Sequence, residues 1–115
     1  MNIKKIISCI VCPMFIAFTG CQRELTASTI FEVRGPSQSI AENIVRKTFV
    51  PDAPTMTLET KGRLFLIGVE DSDPKRAVYR VNRALKIMND AIEKENTDVM
   101  VFVVEEAKAG GACSF

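Results

Sequence analysis

The mature part of this chain predicts an α+β domain: two helices packed on one face of a four-stranded antiparallel sheet. Three observations point there. Apolar residues alternate with period two in four short stretches. Two other stretches carry apolar residues at helical spacing. The order along the chain is strand, helix, strand, strand, helix, strand within about 80 residues, which suits a single domain.

Each element has its own local reason. Thr29 to Arg34 reads as a strand, with Phe31 and Val33 on one side and Ile30, Glu32 and Arg34 on the other. Gly35-Pro36-Ser37 breaks it, and Ser37 or Ser39 caps a helix from Gln38 to Phe49. Ile40, Ile44, Val45 and Thr48 are expected to face inward. The "VPDAP" segment ends this helix, because two prolines cannot continue it. Thr55 to Thr60 alternates as a strand, Lys61-Gly62 is a candidate two-residue turn, and Leu64 to Glu70 is a second, more apolar strand. Asp73 then caps the next helix, with Pro74 in its first turn. Val78, Val81, Leu85, Met88 and Ile92 step by three and four along one face of it. Asp98 to Glu105 is the last strand, and residues from Ala109 read as a loose tail.

This βαββαβ order resembles the ferredoxin-like plait. The resemblance implies that both helices cover one face, by the right-handed crossover rule, and that the first and third strands are central. If Thr60 pairs with Arg63, Leu58 lies opposite Phe65 and Met56 opposite Ile67, all under the helices. Leu64 and Leu66 then point to the open face with Thr57 and Glu59, and Ile30 joins them. The last strand contributes either Val99, Val101 and Val103 or Met100, Phe102 and Val104 to that face. Ile30, Leu64 and Leu66 are therefore the candidate interaction surface. A one-residue slip exchanges the two sets.

The chain has 115 residues, of which 47% are hydrophobic and 25% charged, within the range of one globular domain. From Cys21 onward 13 basic side chains stand against 14 acidic ones, so no basic excess argues for nucleic acid. There is no histidine, which removes the usual general base near neutral pH and the commonest metal ligand. The reading is non-enzymatic, with no cofactor and no metal.

The first 20 residues follow a different logic. Lys4 and Lys5 precede the apolar run Ile6 to Phe18, interrupted only by Ser8 and Pro13. A helix of that length rises about 20 Å, short of the roughly 30 Å hydrocarbon core, and suits a secretory signal better than a lasting span. Phe18-Thr19-Gly20-Cys21 closes it, with apolar and small residues before a cysteine. This resembles a bacterial lipoprotein signal. The resemblance implies cleavage before Cys21, lipid on its sulfur and amine, and lasting attachment through more than one acyl chain. Gln22, in place of aspartate, implies an outer-membrane position facing the periplasm in a Gram-negative host. An ordinary secretory signal cut nearby would instead leave a soluble protein.

The expected division is signal 1–20, lipidated tether 21–28, domain 29–106 and tail 107–115. Cys9 and Cys12 fall in the segment removed. Cys113 is left without an internal disulfide partner; it is either a site of intermolecular crosslinking or a merely accessible thiol.

Two further features carry alternative functions. Arg76, Arg80 and Arg83, with Lys75 and Lys86 nearby, form a stripe on the second helix, a candidate surface for anionic headgroups or a polymer. The "VRGPSQSIAENI" segment invites comparison with acylphosphatases, which share the plait and hold phosphate in the loop after the first strand. Here Arg34 precedes the glycine, and the characteristic loop sequence is not evident. The same strand–glycine–helix pattern is similar to small periplasmic modules that build secretion rings. The leading expectation is a membrane-anchored envelope lipoprotein that meets a partner protein, or a second copy, through the open sheet face.

Overall fold

The computed structural model describes residues 25–95 and 98–110. The order is β1 (Ala27–Arg34), α1 (Gln38–Thr48), β2 (Met56–Lys61), β3 (Leu64–Val69), α2 (Pro74–Glu95) and β4 (Met100–Ala109). The four strands form one sheet in the order β2-β3-β1-β4, and every neighbouring pair is antiparallel. The first and third strands are central, and the arrangement is that of a ferredoxin-like two-layer domain. No helix among the described residues is long and apolar enough to cross a membrane.

The core lies between the helices and one sheet face. Phe31 and Val33 of β1, Phe65, Ile67 and Val69 of β3, and Met56 of β2 supply the sheet side. Val81, Met88 and Ile92 of α2 and Val45 of α1 cover them. Phe31 and Phe65 pair directly across the strands and stack with centroids 5.4 Å apart. Val78 and Leu85 lie at the margin of α2's apolar stripe, and Ala77 and Ala84 take the innermost places beside Val81 and Met88. Small side chains there let the helix approach the sheet closely.

Helix α1 departs from expectation in the same way. Ala41, Val45 and Thr48 are its buried residues, Ile44 packs at the margin, and Ile40 is largely exposed. The face is set by closeness to the sheet rather than by side-chain size. Ser37 is the N-cap, its hydroxyl accepting from the Ile40 N–H at 3.3 Å. The helix ends at Thr48, where Phe49 turns extended ahead of Pro51. Because the Ser37 bond is long and exposed, Ser37→Ala should cost only about 0.5–1 kcal/mol in chemical denaturation. Ser39→Ala should change nothing measurable, and equal losses would reject Ser37 as the cap.

The β2–β3 hairpin turns at Gly62-Arg63, one residue later than expected. Lys61 pairs with Leu64, Leu58 with Ile67 and Met56 with Val69. Gly62 sits at φ +60, in the first turn position that a two-residue hairpin reserves for glycine. Moving the turn by one residue changes each pairing by two. The faces are therefore conserved although the partners are not. Met56, Leu58, Phe65 and Ile67 all pack toward the helices.

Both outer boundaries move. Strand β1 begins at Ala27, and Leu25, Ala27 and Ser28 are buried, so residues 25–28 of the expected 21–28 tether belong to the fold. Strand β4 continues to Ala109, past the expected end at Glu105, and Gly110 still donates its N–H to the Thr26 carbonyl. The extra length rests on two irregularities in the pairing with β1, between Ser28 and Ile30 and between Ile30 and Phe31, where Ser28 meets Lys108, Ile30 meets Glu105 and Phe31 meets Val103. Such a bulge absorbs one residue and bends the strand. The Thr29 hydroxyl, donating to the Glu105 carbonyl at 2.7 Å, holds it in place.

Candidate functional site

The helices leave the second face of the sheet open. It carries Ser28, Ile30, Glu32 and Arg34 from β1, Leu64, Leu66 and Gly68 from β3, and Thr57, Glu59 and Lys61 from β2. Pairing of Met100 with Arg34 and of Phe102 with Glu32 adds those two residues of β4 to it. Val99 and Val101 go to the core instead. The choice between the two sets follows from the register of β4 against β1, which alternation alone does not contain.

The two ends of this face differ. At the end where β1 begins, the Leu25 side chain lies over Gly68. A Cβ on that glycine would meet Leu25 Cδ1 at 2.4 Å. A side chain at position 68 would push Leu25 off the sheet, which is why a glycine stands in an otherwise apolar strand. Among the described residues, Leu25 and Leu66, each 2% exposed, are the two buried large apolar residues outside the helix-side core. Leu66 is thus enclosed, while Ile30 and Leu64 are half-buried.

At the other end the face is polar-rimmed and open. Glu32, 13% exposed at its side chain, accepts from Arg34 at 3.2 Å and from Arg63 at 3.5 Å. The Arg34 guanidinium lies 4.5 Å from the Phe102 ring centre, a cation–π contact across β1 and β4. Phe102 is 36% and Met100 57% exposed. Two guanidiniums share one carboxylate at this end, with Lys61 and Glu59 of β2 on the same face. A shallow cavity of about 380 Å³ beside it is lined by Arg34, Gly35, Ser37 and Arg63. It adjoins the loop compared above with phosphate-binding plaits, yet both arginines already face Glu32.

The arginine stripe of α2 is drawn into the fold. Arg76 binds Asp71 through Nη2 at 2.6 Å and Nε at 2.9 Å. Arg80 bridges two loops: Nη1 reaches Asp71 Oδ2 at 2.9 Å, and Nη2 and Nε reach Asp52 at 2.6 and 3.0 Å. Hydrogen bonds from Arg76, then from the Asp73 N–H and from Arg80, hold the Asp71 carboxyl far below the usual carboxylate range despite its desolvation. Asp52 is lowered chiefly by Arg80. Arg83 adds longer-range attraction for Asp52, and Lys86 pairs with Asp90 one turn on. Sequence spacing places the arginines on one helix face. It has no signal for Asp52, which lies 28 residues away between two prolines.

A small cavity of about 290 Å³ separates α2 from β4, lined by Thr29, Asn82, Leu85, Val103, Glu106 and Ala107. Glu105 is paired on the open face while Glu106 lines this cavity, so the adjacent carboxylates diverge. Among the described residues, no three His, Cys, Asp or Glu side chains come together as metal ligands. Cys21 and Cys113 lie outside the described residues.

Fold and surface together define the class: a two-layer α+β domain with a partly open antiparallel sheet. No family model matches the chain, and no curated protein matches it significantly.

Proposed function

We propose that this protein is a small lipoprotein of the bacterial cell envelope, anchored through lipid on Cys21 and serving as a non-enzymatic interaction or assembly module. The observation that carries the reading is the position of Phe18-Thr19-Gly20-Cys21 relative to the domain. Every core residue described above comes after Cys21, and Leu25 is already seated on the sheet. The anchor would then be followed almost at once by a folded body that displays an incompletely covered sheet face.

The α2 stripe is a weaker contact surface for anionic headgroups or a polymer. Arg76 and Arg80 would have to release Asp71 and Asp52, already held at hydrogen-bonding distance, before binding another anion. An exchange of one carboxylate for one phosphate gains little.

Intact mass and membrane fractionation of wild type and Cys21→Ala test the anchor. Wild type is expected in the membrane fraction, starting at residue 21 and carrying acyl mass. Cys21→Ala is expected without acyl mass. Wild type found water-soluble, or beginning at another residue, would reject the reading.

A further inference from the structure

If Cys21 is the anchor, as proposed above, the fold also decides which end of the domain stands next to the bilayer. We infer that the end where Thr26, Asp71 and Gly110 meet faces the lipid surface, and that the opposite end, with Arg34, Arg63 and Met100, projects into the aqueous compartment.

The first ground is where the chain enters the fold. Thr26 is tied through both backbone groups and its side chain. Its N–H donates to the Val69 carbonyl at 2.8 Å, and its carbonyl accepts from the Gly110 N–H at 2.8 Å. Its hydroxyl donates to the Asp71 carbonyl at 2.8 Å and accepts from the Asp71 N–H at 2.9 Å. These bonds gather the start of β1, the end of β3 and the end of β4, and α2 starts just beyond, at Pro74. The sheet layer and the helix layer share this end. Gln22, Arg23, Glu24 and Leu25 alone separate Thr26 from Cys21. The steps from Cys21 to Thr26 span at most about 18 Å. Arg34, at the other end of β1, lies about 26 Å along the strand from Thr26. The hairpin at Gly62-Arg63, the start of β4 at Met100 and the end of α2 share that far end. With the far end turned down, Thr26 would stand higher than the tether can reach.

The second ground is the pairing of charges on the two broad faces. On the open sheet face Arg34 and Arg63 are both held by Glu32. On the helical face Asp71 and Asp52 hold Arg76 and Arg80, Asp90 holds Lys86, and Glu95 holds Lys47. Anionic headgroups attract clusters of unbalanced basic residues. Laying either face on them would gain little and would desolvate pairs already made. The tether is then the constraint that orients the domain. A body fastened at one end to a surface that it does not enter keeps that end nearest.

The test uses the mature protein extracted from the producing cell's membranes. Lys108→Cys and Lys75→Cys mark the anchored end, one on β4 and one at the start of α2. Arg63→Cys and Lys94→Cys mark the far end in the same two layers. All four positions are exposed. Each variant is made in a Cys113→Ser background, labelled with a donor dye and reconstituted into phosphatidylethanolamine–phosphatidylglycerol vesicles with a rhodamine-labelled headgroup as acceptor. Energy transfer at positions 108 and 75 is expected to exceed that at 63 and 94 several-fold.

Equal transfer at all four positions, or stronger transfer at 63 and 94, would overturn the inference. So would a split by layer: 108 and 63 together above the others would mean that the open sheet face lies down, and 75 and 94 together that the helices do. Two positions at each end guard against local disruption by one label. Intact mass of the same samples separates the two levels. Acylated protein with the wrong transfer pattern rejects only the orientation. Protein without acyl mass rejects the anchor, and the orientation with it.

Discussion

Phe65→Ala is expected to lower the unfolding free energy of the domain by about 3–5 kcal/mol, read as a shift in urea midpoint. The ring is fully buried on the central strand β3 and stacks on Phe31 of β1. Removing it takes away transfer free energy and leaves a void between two paired strands, beneath helices that cannot follow without breaking their own contacts. A domain of this size has roughly 5–15 kcal/mol of total stability, so the variant is expected to sit near the edge of folding. Phe65→Leu keeps most of the volume and should lose much less. A loss for Phe65→Ala under about 1 kcal/mol would mean that the pair is not at the centre of the core.

The second large effect concerns the Arg80 bridge. Arg80→Met is expected to destabilise the domain at neutral pH and to flatten its acid limb. Asp71 is 5% exposed at its side chain and is held by both Arg76 and Arg80, while Asp52 relies on Arg80. Both carboxyl values are depressed in the folded state relative to the unfolded chain. Their stabilisation is therefore complete above the unfolded value, near pH 4, and is lost as pH falls through the folded values. Wild type should lose stability progressively from about pH 5 downward. Asp71→Asn removes the strongest of these titrations and should show a shallower slope in urea midpoint against pH. A slope equal to that of wild type would exclude the bridge as the source of acid sensitivity. With no histidine in the chain, no comparable change is expected between pH 6 and 8.

These two cases show what could be read without coordinates. The 3-4-3-4 apolar steps of α2 and the alternation in β2 and β3 specify elements, because side-chain direction repeats with a local period. The Asp73 cap was equally legible: its carboxylate accepts from the Lys75 N–H at 3.0 Å. The hairpin faces were also legible despite the displaced turn, since the displacement preserved parity. Ile40 was expected inward, where Ala41 lies instead, because hydrophobicity ranks side chains, whereas burial on a closely packed helix favours the residue that fits. Leu25 looked like tether because its partner, Gly68, is distant in sequence. A lone glycine within an apolar strand was the available signal that another group approaches there.

The amino-acid sequence alone determined the element types, their order, the sided alternation of the strands, and the charge, small-residue and cysteine pattern ahead of the domain. All of these depend on neighbours within a few positions. Tertiary structure alone decided which residues of β4 face outward, that Leu66 is buried on the open side of the sheet while Leu25 lies over Gly68, and that Arg76 and Arg80 bind carboxylates on two loops. Each of those depends on contacts between residues far apart in the chain, and contacts of that kind exist only once the sheet has closed and brought them within a few ångströms.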